Sequence, residues 1–148
     1  MTASWRPLRA RLRRPESQVL RSLVLAALAI ACSGSSTAPR LGDDIDVRYG
    51  ASVRVPGDTV QVQFTAVTSD SRCPSGAQCI WAGEAAVLFT VGGSEQVTLT
   101  LGANEAKART IVRGTQMLLV ALKPYPTVSG SRSRSDYVAT IRFTSAKD

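Results

Sequence analysis

From residue 45 onward, apolar and polar side chains alternate with a period of two, the pattern of strands that bury one face. Ile45, Val47, Tyr49, Ala51, Val53 and Val55 alternate with Asp46, Arg48, Gly50, Ser52 and Arg54. That run predicts one long strand, or two with a bend at Gly50. Pro56-Gly57-Asp58 reads as a turn, because proline and glycine supply the backbone angles a turn needs. Val60, Val62, Phe64 and Ala66 then alternate with Gln61, Gln63 and Thr65. Val87, Phe89 and Val91 form the next set and stop at Gly92-Gly93, and Val97, Leu99 and Leu101 follow. Residues 116–122 (QMLLVAL) are apolar on both faces, as expected of a central strand. Tyr137, Ala139, Ile141 and Phe143 alternate to the end, and residues 108–113 are a weaker strand candidate.

Seven or eight short, mostly antiparallel strands with turn signals about every ten residues predict an all-β domain over residues 44–148, a small sandwich or barrel. Residues 103–109 (ANEAKAR) have the composition for one helical turn. A domain of about a hundred residues supports one core with modest margin.

The first third of the chain follows a different pattern. Residues 1–22 are rich in arginine, and residues 23–31 (LVLAALAIA) are uninterruptedly apolar. Nine residues of helix span about 14 Å, half of a hydrocarbon core, which is too short for a permanent crossing. A basic segment, a short apolar stretch and small residues before a cleavage point make residues 1–31 a signal peptide. Leu28-Ala29-Ile30-Ala31-Cys32 resembles a bacterial lipobox, in which the cysteine is acylated and becomes the new N-terminus. The lipobox pattern prefers leucine where this chain has Ala29. Ala29-Ile30-Ala31 also suits ordinary leader peptidase, so secretion without lipid stays open. Three cysteines favour lipidation, since acylating Cys32 leaves an even pair. One acyl chain binds a bilayer only marginally, and the two or three that the lipobox implies would hold the domain stably. Ser33 in place of aspartate points to the outer membrane where a cell has one. Residues 33–43 (SGSSTAPRLGD) read as a flexible tether behind Cys32.

The charge changes meaning once the leader is set apart. The formal charge of the 148 residues is +7, but residues 1–32 hold six arginines and one glutamate, a balance of +5. The remaining +2 gives little purchase on phosphate, which argues against a nucleic-acid partner. There is no histidine. That excludes the usual general base, the commonest metal ligand and every histidine-containing triad. The expectation is therefore a module with no cofactor and no catalytic role, held at a membrane by its lipid and binding an envelope protein or polymer.

Candidate chemistry gathers in residues 70–85, DSRCPSGAQCIWAGEA. An oxidising compartment favours a disulfide between Cys73 and Cys79, and Cys73-Pro74-Ser75-Gly76 suits a tight turn that brings them together. Five intervening residues do not match the two of a thioredoxin-type site. Soft-metal capture by the reduced pair stays open. Trp81 shares the odd-numbered face of Val87 and Phe89, so it is expected either in the core against the disulfide or as a ligand-stacking aromatic at the mouth of the fold. Asp70 and Arg72 are expected to hold the loop by turn hydrogen bonds or an ion pair. An Asp70–Glu84 acid/base pair is a weaker alternative. So is inhibition of exported hydrolases by the braced loop, with Arg72 or residues 74–78 as contacts. Pro124-Tyr125-Pro126 reads as the exit from a strand, with docking of a partner as the alternative, and residues 131–135 (SRSRS) as a solvated loop, with binding of anionic headgroups or cell-wall polymers as the alternative.

The stretch D-S-R-C-P followed by C-I-W-A-G-E-A resembles a motif of small exported bacterial proteins and lipoproteins of uncharacterised function. The likeness extends loosely over residues 45–145. It implies an exported β-domain and transfers no catalytic residue.

Overall fold

The computed structural model describes residues 38–146, which fold as eight strands in two antiparallel four-stranded sheets. Residues 1–37, on which the expected signal peptide and the lipidation expected at Cys32 fall, lie outside the described residues. One sheet has the order β1-β8-β7-β6, built from β1 (Asp44–Arg48), β8 (Val138–Ser145), β7 (Thr115–Lys123) and β6 (Arg109–Val112). The other has the order β2-β3-β4-β5, from β2 (Ser52–Arg54), β3 (Gln61–Asp70), β4 (Ala85–Val91) and β5 (Glu95–Leu101). Of the two architectures expected, this is the sandwich and not the closed barrel.

The period-two runs explain the two layers. In β4 every odd residue from Ala85 to Val91 is buried and every even one half-buried, so one face of the strand is core. The inner faces meet in a cluster led by Phe64, Phe89, Phe143, Met117, Leu119 and Ile141. Phe64 and Phe89 pack tilted at 5.8 Å, and Tyr49 meets Phe64 edge-on at 5.7 Å. Each fully buried side chain of this size contributes about 1.5–3 kcal/mol. The outer faces are tied by cross-strand pairs such as Thr65–Thr90 at 2.7 Å and Arg142–Asp44 at 2.7 Å.

The bend anticipated at Gly50 is where the chain changes sheets. Gly50 has φ +78, which a side chain rarely tolerates, and it lets β1 pair with β8 while β2 pairs with β3. The weak candidate at 108–113 is the edge strand β6, and the expected helical turn is a short 3-10 helix, Glu105–Ala108, capped by the Asn104 side chain. The β7 run is central to its sheet, between β8 and β6.

The two ends of the sandwich differ. The chain enters β1 where Gly42 N–H donates to the Phe143 carbonyl at 2.7 Å, near the start of β7 and the end of β8. The opposite end carries the β3–β4 connection, residues 71–84, and the β7–β8 connection, residues 124–137. A parallel bridge between Ser75 and Thr127 joins these two loops.

Candidate functional site

Both long connections are pinned by one buried ion pair. Asp70 is the last residue of β3, and its side chain is 7% exposed; that of Arg72 is 6% exposed. Arg72 Nε and Nη2 each donate to the Asp70 carboxylate at 2.8 Å, a two-pronged match of planar guanidinium to planar carboxylate. The remaining guanidinium donors reach across to the other loop, to the Leu122 carbonyl at 2.6 Å and the Pro124 carbonyl at 3.1 Å. Arg132 Nη1 and the Tyr137 hydroxyl, both from the second connection, donate to Asp70 Oδ2 at 3.2 Å. Burial on its own would raise the Asp70 pKa, but the Arg72 hydrogen bonds and charge outweigh it and hold the carboxyl below its usual value. The Tyr137 hydroxyl is pushed up, first by burial and then by the Asp70 charge.

The expected ion pair is therefore present, but it is a node with partners up to 67 residues away rather than a local turn device. Arg132 belongs to it and is half-buried, while Ser131, Ser133, Arg134 and Ser135 are exposed, as expected of a solvated loop. Burial of Arg72 also removes it as a contact residue for an inhibitor loop.

Above this node the 71–84 loop is built in stages. Ser71 N–H donates to the Glu84 carbonyl and Cys73 N–H to the Ala82 carbonyl, both at 2.8 Å, so the two legs of the loop run as a short ladder. Gly83 completes the base of it. Its φ is +70, and a Cβ there would collide with the Ser71 carbonyl. The Cys73–Cys79 disulfide closes the tip, with Cα atoms 5.9 Å apart. The tight turn lies one residue later than the sequence suggests: Ala77 N–H donates to the Pro74 carbonyl at 3.0 Å. Ser75, a central residue of that turn, donates from its backbone to the Pro126 carbonyl at 2.8 Å and locks the loop to the second connection.

Trp81 is not in the core. It is 79% exposed, and its neighbour Ile80 is 91% exposed. The strand parity that pointed Trp81 inward does not carry across Gly83, where the positive φ breaks the alternation before β4 begins at Ala85. Tyr125 (54%) and Val128 (67%) are exposed on the adjoining loop. Four of the six large apolar side chains exposed among the described residues thus lie on the two connections at one end of the sandwich. The exposed Tyr125 ring lies over the Arg72 guanidinium at 5.0 Å, and neighbouring Pro126 is fully buried. No pattern in the sequence separates Val128 from ordinary loop residues, whereas Tyr125 stands out only through its two flanking prolines.

Asp70 and Glu84 do not form an acid/base pair. Asp70 is saturated by Arg72, Arg132 and Tyr137, whereas Glu84 is half exposed and its carboxylate lies 3.9 Å from Lys107. The thiols that soft-metal capture requires are joined to one another. Among the described residues no group of three or more metal-ligating side chains gathers in one place. No family model, no curated protein and no solved structure matches the chain. What the site offers chemically is a rigid, apolar and partly cationic surface at one end of a disulfide-bonded β-sandwich, which fits a binding or structural module.

Proposed function

We propose that the protein is an exported envelope lipoprotein, acylated on Cys32, whose β-domain is a non-catalytic binding module with its contact surface at the loop end. The observation that carries this reading is the exposure of Ile80 and Trp81 on a loop held by a disulfide and a buried ion pair. An aromatic carried on a loop braced before contact loses less backbone entropy when it is covered, and tryptophan is enriched among the residues that dominate interfaces. The position of the tether supports it too. The linker enters β1 at the far end of the sandwich, so a domain hung from a membrane by residues 33–43 would present the loop end outward.

The test uses the full chain with Cys32→Ser, which removes the acyl anchor, and measures its retention on washed cell envelopes. Ile80→Ser combined with Trp81→Ser is expected to weaken retention at least about tenfold, the loss of one strong contact residue. Equal retention of both forms, or none by either, refutes the reading. Inhibition of an exported hydrolase by the same loop is a second reading, favoured by the exposure of residues 77–81. It requires micromolar inhibition of a protease or lysozyme that the double variant abolishes.

A further inference from the structure

Beside the apolar tip lies an open trough of about 600 Å³, lined by Arg48, Lys123, Tyr125, Thr127, Arg132 and Ser135, among others. Its volume falls within the range of ligand sites, and its chemistry is distinctive. Three cations line it with one carboxylate, Asp136, which is already engaged by the Ser133 backbone N–H at 2.8 Å; of the three, Arg132 is held by Asp70 at 3.2 Å, which leaves Arg48 and Lys123. Arg48 forms no ion pair among the described residues. Lys123 has only an exposed partner, Asp46, at 3.5 Å. The Arg72 guanidinium lies over the Tyr125 ring at 5.0 Å, and the residue stays 54% exposed beside the trough. Hydroxyls of Thr127, Ser131 and Ser135 complete the walls.

We infer that this trough binds an acidic polysaccharide, with a sugar ring stacked on Tyr125 and its carboxylate groups held by Arg48 and Lys123. A planar aromatic takes the apolar face of a pyranose, hydroxyls exchange hydrogen bonds with its edge, and guanidinium matches a carboxylate in two-pronged fashion. The trough is open to solvent, so a polymer can lie in it without threading. A bare polyanion would use the cations and leave the ring idle. A protein partner would seat on the Ile80–Trp81 tip rather than in a hydroxyl-lined channel.

The inference rests on the loop end being the binding face, and it is tested with the full chain and defined polymers. Binding to polygalacturonate, dextran and polyphosphate is measured by interferometry at low and moderate salt. Expected are binding to polygalacturonate that weakens with salt, and little binding to dextran or polyphosphate. Arg48→Gln and Tyr125→Ala are each expected to reduce polygalacturonate affinity about tenfold. Tyr125→Phe keeps the ring and is expected to retain binding. Thermal unfolding of each variant establishes that a loss is not one of folding. Equal binding to polyphosphate, equal binding to dextran, no binding to polygalacturonate, or full binding by folded Arg48→Gln and Tyr125→Ala overturns the inference. If polygalacturonate fails while envelope retention still depends on Ile80 and Trp81, only the ligand assignment falls; loss of that dependence removes the binding face itself.

Discussion

Replacing Asp70 by asparagine keeps the shape of the side chain and removes its charge. The Arg72 guanidinium, 6% exposed, is then left in the interior without a counterion. Removing one partner of a buried ion pair costs about 3–5 kcal/mol. The lower figure applies, because the Leu122 and Pro124 carbonyls still accept from Arg72 and an asparagine oxygen still accepts one bond. A loss of about 3 kcal/mol is a large part of the roughly 5–15 kcal/mol that holds a domain of this size. At ~4 °C per kcal/mol it lowers the Tm by about 12 °C. Urea and thermal unfolding followed by circular dichroism measure it directly. Glu84→Gln is the matched control: its carboxylate is half exposed and 3.9 Å from Lys107, so its loss is expected to stay under about 0.5 kcal/mol. Adding Arg72→Met to Asp70→Asn removes the stranded charge, and the pair is expected to lose less than the sum of the two single changes. If Asp70→Asn costs no more than Glu84→Gln, the node does not brace the loops and the account of their rigidity fails.

Three further outcomes follow from the same geometry. Asp70 has a folded pKa below the ordinary carboxylate value of 3.8, so its contribution is complete above that pH and disappears as pH falls through the lowered value. Acid titration of unfolding is expected to show this loss in the wild type and not in Asp70→Asn. Gly83→Ala places a methyl group against the Ser71 carbonyl at a positive φ, and is expected to destabilise the domain by about 2 kcal/mol or more by urea unfolding. Cys73→Ser with Cys79→Ser opens a seven-residue loop; chain entropy sets the loss at about 2.4 kcal/mol, and hydrogen exchange is expected to rise in residues 74–81 but not at the Ser71–Glu84 ladder.

The sandwich was legible because burying one face of a strand imposes a period of two, and nearly every run kept it. β3 holds the parity of Val62 and Phe64, then shifts register twice before Asp70, and β7 shifts once after Leu119. Such bulges are invisible to alternation and extend β3 beyond the Val60–Ala66 run. The disulfide was legible from the turn residues between Cys73 and Cys79 and from the expectation of export. The position of Trp81 was not, because parity was carried through a loop whose backbone reverses at Gly83. The Asp70–Arg72 pair could be suspected from two residues at i and i+2. Its depth could not, because the atoms that satisfy it come from Leu122, Pro124, Arg132 and Tyr137, brought near only by the meeting of two distant connections.

The claim that most needs a direct test is that the loop end is a contact surface in the cell. Hydroxyl-radical footprinting reads it at one residue, by comparing oxidation of the Trp81 peptide in purified protein with that in intact cell envelopes. Rapid oxidation in the purified protein and strong protection in the envelope, with half-buried Tyr49 unchanged between the two, is the predicted result. Equal oxidation of Trp81 in both samples would contradict the account.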